Sequence, residues 1–156
     1  MTVFAIDPGP HTGIFYMKDD KPHHLVFDYR GHASPHEHLY LWLMQMVIPE
    51  EDIVLCESFE FRKEDAKNRE YIDYSPGELV GVVKLFGQLT GTEYHTPSAS
   101  TGKGFWDDDK LRRVGLWVGG QDAKHMRDAA RHWLHFHTFS PQRDVKVASD
   151  WLRRLK

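Results

Sequence analysis

Cysteine is nearly absent: Cys56 is the only one in 156 residues, which excludes an intramolecular disulfide framework and fits a reducing compartment. Its place inside the apolar run Ile53-Val54-Leu55-Cys56 marks it as a small core residue. Long apolar runs are missing too. Nothing approaches the roughly 18 residues of a membrane span, and the chain enters a strand at once instead of opening on a charged, apolar, small-residue leader. The expectation is a soluble cytoplasmic protein, in a host's cytoplasm if its owner is viral, with no membrane partner. No G-x-x-x-x-G-K-[ST] or G-x-G-x-x-G follows a strand, so no nucleotide cofactor is expected. The 11 histidines, His23, His24, His36, His38, His132, His135 and His137 among them, lack the Cys/His spacing of a zinc site. Positive charge is not in excess either. A net charge of −3 argues against indiscriminate nucleic-acid binding.

The charge that is present is unevenly spread. Lys103, Lys110, Arg112, Arg113, Lys124, Arg127 and Arg131 fall in one stretch, and Arg143, Lys146, Arg153, Arg154 and Lys156 crowd the end. A basic face can therefore coexist with an acidic total. At 156 residues and 40% hydrophobic, the chain can bury one substantial core. One domain over residues 1–156 is expected, with 140–156 as a basic C-terminal tail.

Val3 to Ile6 reads as a strand buried on both faces, ended by Asp7 and a Pro-Gly turn. Gly13 opens a second strand running to Met17, the turn Lys18 to Pro22 closes it, and His24 to Asp28 makes a third. Ser34-Pro35-His36-Glu37 predicts a capping box before a helix through Val47, and Ile53 to Cys56 a further buried strand ending in Glu57. Ser58 to Tyr74 has no clean period and reads as a loop or ragged helix. Ser75 to Glu78 is a second capping box, and the helix Leu79 to Leu89 is apolar over most of its circumference, which predicts burial in the core or at a subunit interface. A short strand at Glu93 to Thr96, a loop at Ser98 to Gly104, a basic helix from about Lys110 to Trp117 broken by Gly119-Gly120, a long helix from Gln121 to His137 and a short tail helix complete the chain. This order predicts a mixed α/β sheet, an antiparallel meander plus parallel strands, with helices packed on it.

Two buried strands that each end in an acid need partners for those charges. On the long helix, His125 and Asp128 are three apart and share a face, so both can reach the strand ends. Three carboxylates and an imidazole in one place suit Mg²⁺ or Mn²⁺, and two such ions about 3.5–4 Å apart can drive phosphodiester cleavage.

Asp7-Pro8-Gly9 with Thr12-Gly13, Glu57 after a later apolar strand, and His125 and Asp128 followed by Ala129-Ala130 resemble the RuvC family of Holliday junction resolvases, of the RNase H-like superfamily. Gly87-Gln88 in the apolar helix and Lys110 with Val114 extend the resemblance, which runs from about Val3 to His132. It implies an RNase H-like fold with helices on both faces of the sheet, and a homodimer that cuts four-way DNA junctions. Asp7, Glu57, His125 and Asp128 would be the catalytic, metal-binding set, with Mg²⁺ the cofactor and Mn²⁺ able to replace it. The glycine loop is one residue shorter than the D-P-G-x-x-x-x-G of the family, and His125 stands where many members have aspartate. Phe59 and Phe61 lie close to, but not at, the commonest spacing of the junction-opening aromatic. With Arg62, Lys63, Lys103, Lys110, Arg112 and Arg113 they are the candidate nucleic-acid contacts.

Other readings are a nuclease of this fold acting on flaps, forks or RNA:DNA hybrids, and a catalytically silent junction-binding protein. An actin-like kinase would share a phosphate-cradling D-x-G-x-x-x-G, but the chain is too short for its two lobes.

Overall fold

The structure, a computed structural model, describes residues 1–60 and 75–156. Strands β1 (Val3–Asp7), β2 (His11–Lys18) and β3 (Lys21–Asp28) form the antiparallel meander, followed by helix α1 (Pro35–Met46) and strand β4 (Ile53–Cys56). Helix α2 (Ser75–Thr90), strand β5 (Glu93–His95), helices α3 (Ala99–Lys103), α4 (Asp108–Arg113), α5 (Ala123–Phe139) and α6 (Val145–Arg153) follow. The sheet order is β3-β2-β1-β4-β5, with β1 pairing antiparallel to β2 and parallel to β4, and β4 parallel to β5. The expected mixed sheet is the one found.

Strand parity divides the core. Phe4, Ile6, Ile14, Tyr16, Val54 and Cys56 pack under α1 and α2, whereas Val3, Ala5, Phe15, Ile53 and Leu55 pack under α5 with Trp133 and Leu134. Helices therefore cover both faces. Asp7 and Glu57 continue the odd-numbered series of β1 and β4, so both project on the α5 side.

Several local expectations are corrected. The β2–β3 hairpin turns on Asp19-Asp20 alone, both at positive φ (50° and 58°), which lets Pro22 enter β3. Proline is tolerated there because β3 is a sheet edge. Ser34 makes no side-chain cap to α1, whose start is set by Pro35. The presumed loop after Ser98 contains α3. The basic helix α4 is capped by Asp107, which accepts from the Lys110 N–H at 2.8 Å, and it stops at Gly115 (φ 77°) rather than at Gly119-Gly120. Helix α2 buries Leu79, Val80, Val83 and Phe86 and leaves Leu85 and Leu89 in water. The C-terminal helix α6 is docked: Trp151 is buried 5.5 Å from the Trp133 ring, edge to face. Among the described residues, no helix is long and apolar enough to cross a membrane.

Two histidines are partly buried away from the site. Burial pushes His24 and His137 down to about 4, His24 against the Phe15 ring and His137 against Trp133. The unfolded chain binds these protons from about 6.5 downward, so stability is full above that pH and falls as pH drops toward about 4. His137→Phe is expected to lose less thermal stability than wild type between pH 7 and about 4.5, measured as melting temperature against pH.

Candidate active site

Asp7 and Glu57 follow one another's register at the C-terminal ends of the neighbouring parallel strands β1 and β4. The Glu57 N–H donates to the Ile6 carbonyl at 2.9 Å, continuing the Ile6–Cys56 register. Beneath Asp7 the turn is tied by Thr12, whose hydroxyl donates to the Gly9 carbonyl (2.8 Å) and accepts from the Gly9 N–H (3.2 Å). Gly13 sits opposite Asp7 in the hairpin, within β2 rather than at its start. A Cβ there would overlap the His125 carbonyl and stand 2.6 Å from the Met126 nitrogen. The missing side chain is what lets the first turn of α5 lie on the sheet. His125 Nδ1 consequently reaches Asp7 Oδ2 at 2.7 Å.

Burial pushes the Asp7 carboxyl above its ordinary range; the His125 hydrogen bond opposes that rise, and the charges of Glu57 and Asp128 add to it. The hydrogen bond to Asp7 in turn raises His125. The pair as a whole holds a proton more tightly than its members would apart.

Asp128 is 2% exposed and lies on the same helix. Arg131 pairs with it from one turn on, donates from Nε to the Trp106 carbonyl at 2.7 Å, and also pairs with Asp108. Arg127 turns away to Asp108 (3.4 Å) and the Val118 carbonyl (2.9 Å). From the other side comes Lys103, at the end of α3. Its Nζ lies 3.0 Å from Asp128 Oδ2 and 3.7 Å from Glu57 Oε2. Partial burial works against this ammonium, but Asp128 and Glu57 outweigh it and hold the lysine above its ordinary range. Gly102 allows the approach, since a Cβ on it would be 2.9 Å from the Arg131 backbone.

Sequence reasoning missed the role of His132. One turn beyond Asp128, its Nε2 donates to Glu57 Oε2 at 2.8 Å with the ring 2% exposed. The i,i+4 spacing from Asp128 was the available signal.

Phe59 is partly exposed beside Glu57 and Pro8, against the backbone of Gly77. Phe61, Arg62 and Lys63 lie outside the described residues. Lys110, Arg112 and Arg113 stand on α4 with protein partners: the Phe105 carbonyl and ring for Lys110, Asp109 and the Trp117 ring for Arg112, the Leu155 carbonyl for Arg113.

Three carboxylates and an imidazole are the oxygen-rich donor set of a hard divalent cation. The charges of Glu57 and Asp128 add to the rise that burial imposes on Asp7. Asp7 Oδ1 and Glu57 Oε1 take no hydrogen bond from the described residues. As the side chains stand, however, no group of three or more His, Cys, Asp or Glu among the described residues is close enough to hold a metal, and the cation between Glu57 and Asp128 is Lys103.

The sheet order and the helices on both faces define an RNase H-like fold. Two solved structures of RuvC share it. Thermus thermophilus RuvC in complex with a Holliday junction substrate is 17% identical at a TM-score of 0.57, covering 90% of this chain and 97% of that one. A second Thermus thermophilus RuvC structure is 18% identical at a TM-score of 0.53, covering 87% and 95%. No protein-family profile and no curated protein sequence matches the chain.

Proposed function

We propose that this protein is a Mg²⁺-dependent endonuclease, active with Mn²⁺ as well, that resolves four-way DNA junctions in the cytoplasm as a homodimer. The observation that carries the reading is the placement of Asp7 and Glu57 at the ends of the neighbouring parallel strands β1 and β4 with His125 and Asp128 on the helix packed over them, in a fold shared with a RuvC solved in complex with a Holliday junction substrate. Asp7, Glu57, Asp128 and His125 would hold the cation. When bound, it supplies charge stabilisation at the phosphate and a more acidic water.

The remaining work belongs to the chain. His132 and Arg131 fix Glu57 and Asp128 from behind. His125 holds a proton at Nδ1 beside Asp7 and would assist proton transfer from the attacking water. Lys103, released from the carboxylates, neutralises a phosphate oxygen. Water attacks in line and leaves a 5′-phosphate and a 3′-hydroxyl. Phe59, and Phe61 with Arg62 and Lys63, would meet the branch point, with Lys110, Arg112 and Arg113 on flanking phosphates. Paired cuts need two sites. Leu41, Met44 and Ile48 of α1 and the turn after it, with Leu85 and Leu89 of α2, are 50–66% exposed and offer an apolar surface to a second copy.

One observation favours a second reading, a catalytically silent junction-binding protein: Lys103 and Arg131 already neutralise the carboxylates. Labelled four-way junction, flap, fork, duplex and RNA:DNA hybrid, each with Mg²⁺ or EDTA, separate the readings. Symmetric junction nicks that vanish with EDTA are expected. Cutting of flaps or hybrids instead overturns the substrate, and tight junction binding without cutting supports the silent reading.

Two substitutions probe the surround. His132→Phe removes the donor to Glu57 and is expected to weaken Mn²⁺ binding and cleavage by about 10–100-fold. Lys103→Met is expected to tighten Mn²⁺ binding, because a competing cation is gone, while slowing the cut; calorimetry and single-turnover rates measure the two effects.

A further inference from the structure

Residues 140–156 take no part in the proposed chemistry, yet they carry Arg143, Lys146, Arg153, Arg154 and Lys156 against only Asp144 and Asp150. Both acids are occupied. Asp144 accepts from the Lys146 and Val147 N–H groups (2.7 and 3.2 Å) at the start of α6, and Asp150 pairs with Arg153 at 2.7 Å. That pair is exposed on both sides, and such pairs yield readily to a better anion.

The docking of α6 on α5 leaves a groove of about 610 Å³ along the two helices and the turn between them. Phe139, Val145 and Leu152 give it an apolar surface, and Arg143, Arg153 and Lys156 stand around it. None of the described residues that line it is acidic. Phe139 and Val145 are left in water, and apolar surface rimmed by charge marks a place of contact.

The groove is joined to the active site. Lys103, the cation between Glu57 and Asp128, is followed by Phe105, whose ring meets that of Phe139 edge to face at 5.0 Å. The Lys110 ammonium sits over the same Phe105 ring, 4.2 Å from its centre. On the other flank, Arg113 of α4 donates to the Leu155 carbonyl at 3.3 Å. Lys103, Lys110 and the groove cations therefore make one run that leads away from the carboxylates. A DNA strand offers the complement of such a run, phosphate anions alternating with apolar deoxyribose faces.

We propose that the groove between α5 and α6 holds the sugar-phosphate backbone of one arm of a four-way junction, away from the crossover, with Arg143, Arg153 and Lys156 on its phosphates. The proposal rests on the junction-binding part of the function proposed above and deepens it. A chain of net charge −3 then binds DNA along one track and not over its whole surface.

The test is made in EDTA, so that no cleavage is required. Arg143→Gln/Arg153→Gln/Lys156→Gln changes three exposed side chains, and circular dichroism confirms its fold. At low salt the triple variant is expected to bind a four-way junction about tenfold or more weakly than wild type. Its slope of log affinity against log salt should be shallower by about 2–3. Junctions with single uncharged methylphosphonate linkages, placed at successive positions along one arm, locate the contact. Wild type should lose affinity severalfold at one or two positions away from the crossover, where the variant is indifferent. Equal affinity and slope in the two proteins overturns the proposal, as does a wild type that binds no junction. Losses spread evenly along the arm, or the same in both proteins, report net charge alone and overturn it too. Vesicles rich in phosphatidylserine that bind wild type but not the variant, with junction binding equal in both, assign the groove to a lipid surface and overturn the claim for DNA. Failure of the nuclease reading is seen separately, as absence of Mg²⁺-dependent nicks while these differences in binding persist.

Discussion

Asp7→Asn is expected to slow junction cleavage by roughly 10³-fold or more, several kcal/mol of transition-state stabilisation, while leaving junction binding within about threefold. The amide keeps the shape of the carboxylate and can still meet His125, but it carries no charge for a cation. Single-turnover rates and gel-shift affinities measure the two halves. Equal losses in rate and binding would place Asp7 in the DNA interface instead. Removing a buried carboxylate crowded by Glu57 and Asp128 is also expected to leave the metal-free protein at least as stable as wild type, because burial already works against this charge. A variant that is inactive and well folded is the signature sought.

Gly13→Val should be the most damaging single change outside the acidic set. Its Cβ would collide with backbone, not with a flexible side chain, at His125 and Met126. No rotamer change relieves that, so α5 must lift from β2 and carry His125, Asp128 and His132 with it. Overpacking of this kind costs about 3 kcal/mol or more, which in a domain of this size lowers the melting temperature by roughly 10 °C. Cleavage should be lost even at temperatures where the variant stays folded. Differential scanning calorimetry and the cleavage assay give the two numbers. A variant with an unchanged melting temperature would show that the helix does not need this approach.

The sheet was legible because its signals are local. Apolar runs ended by acids mark β1 and β4, and the period of residues 121–137 marks α5. Parity then carries Asp7 and Glu57 to one face, and the i,i+3 spacing carries His125 and Asp128 toward them. What escaped depends on contacts far apart in sequence. Ala99 to Lys103 is a run of small residues with little helical preference of its own; it is a helix because Gly102 lets it lie on Arg131, and that seat brings Lys103 to the carboxylates. His132 was one histidine among eleven, and only the fold pairs it with Glu57, 75 residues earlier. The turn at Asp19-Asp20 and the stop at Gly115 rest on left-handed backbone that the residue types allow without demanding.

The central claim is that these carboxylates take a divalent cation although Lys103 now stands between two of them. Manganese titrated into the protein and followed by electron paramagnetic resonance tests it most directly, since bound Mn²⁺ loses the sharp six-line signal of the free ion. Wild type is predicted to remove at least one equivalent from the free signal, with Asp7→Asn and Asp128→Asn leaving it in solution. A free signal untouched by wild type, or reduced equally by wild type and both variants, would contradict the account.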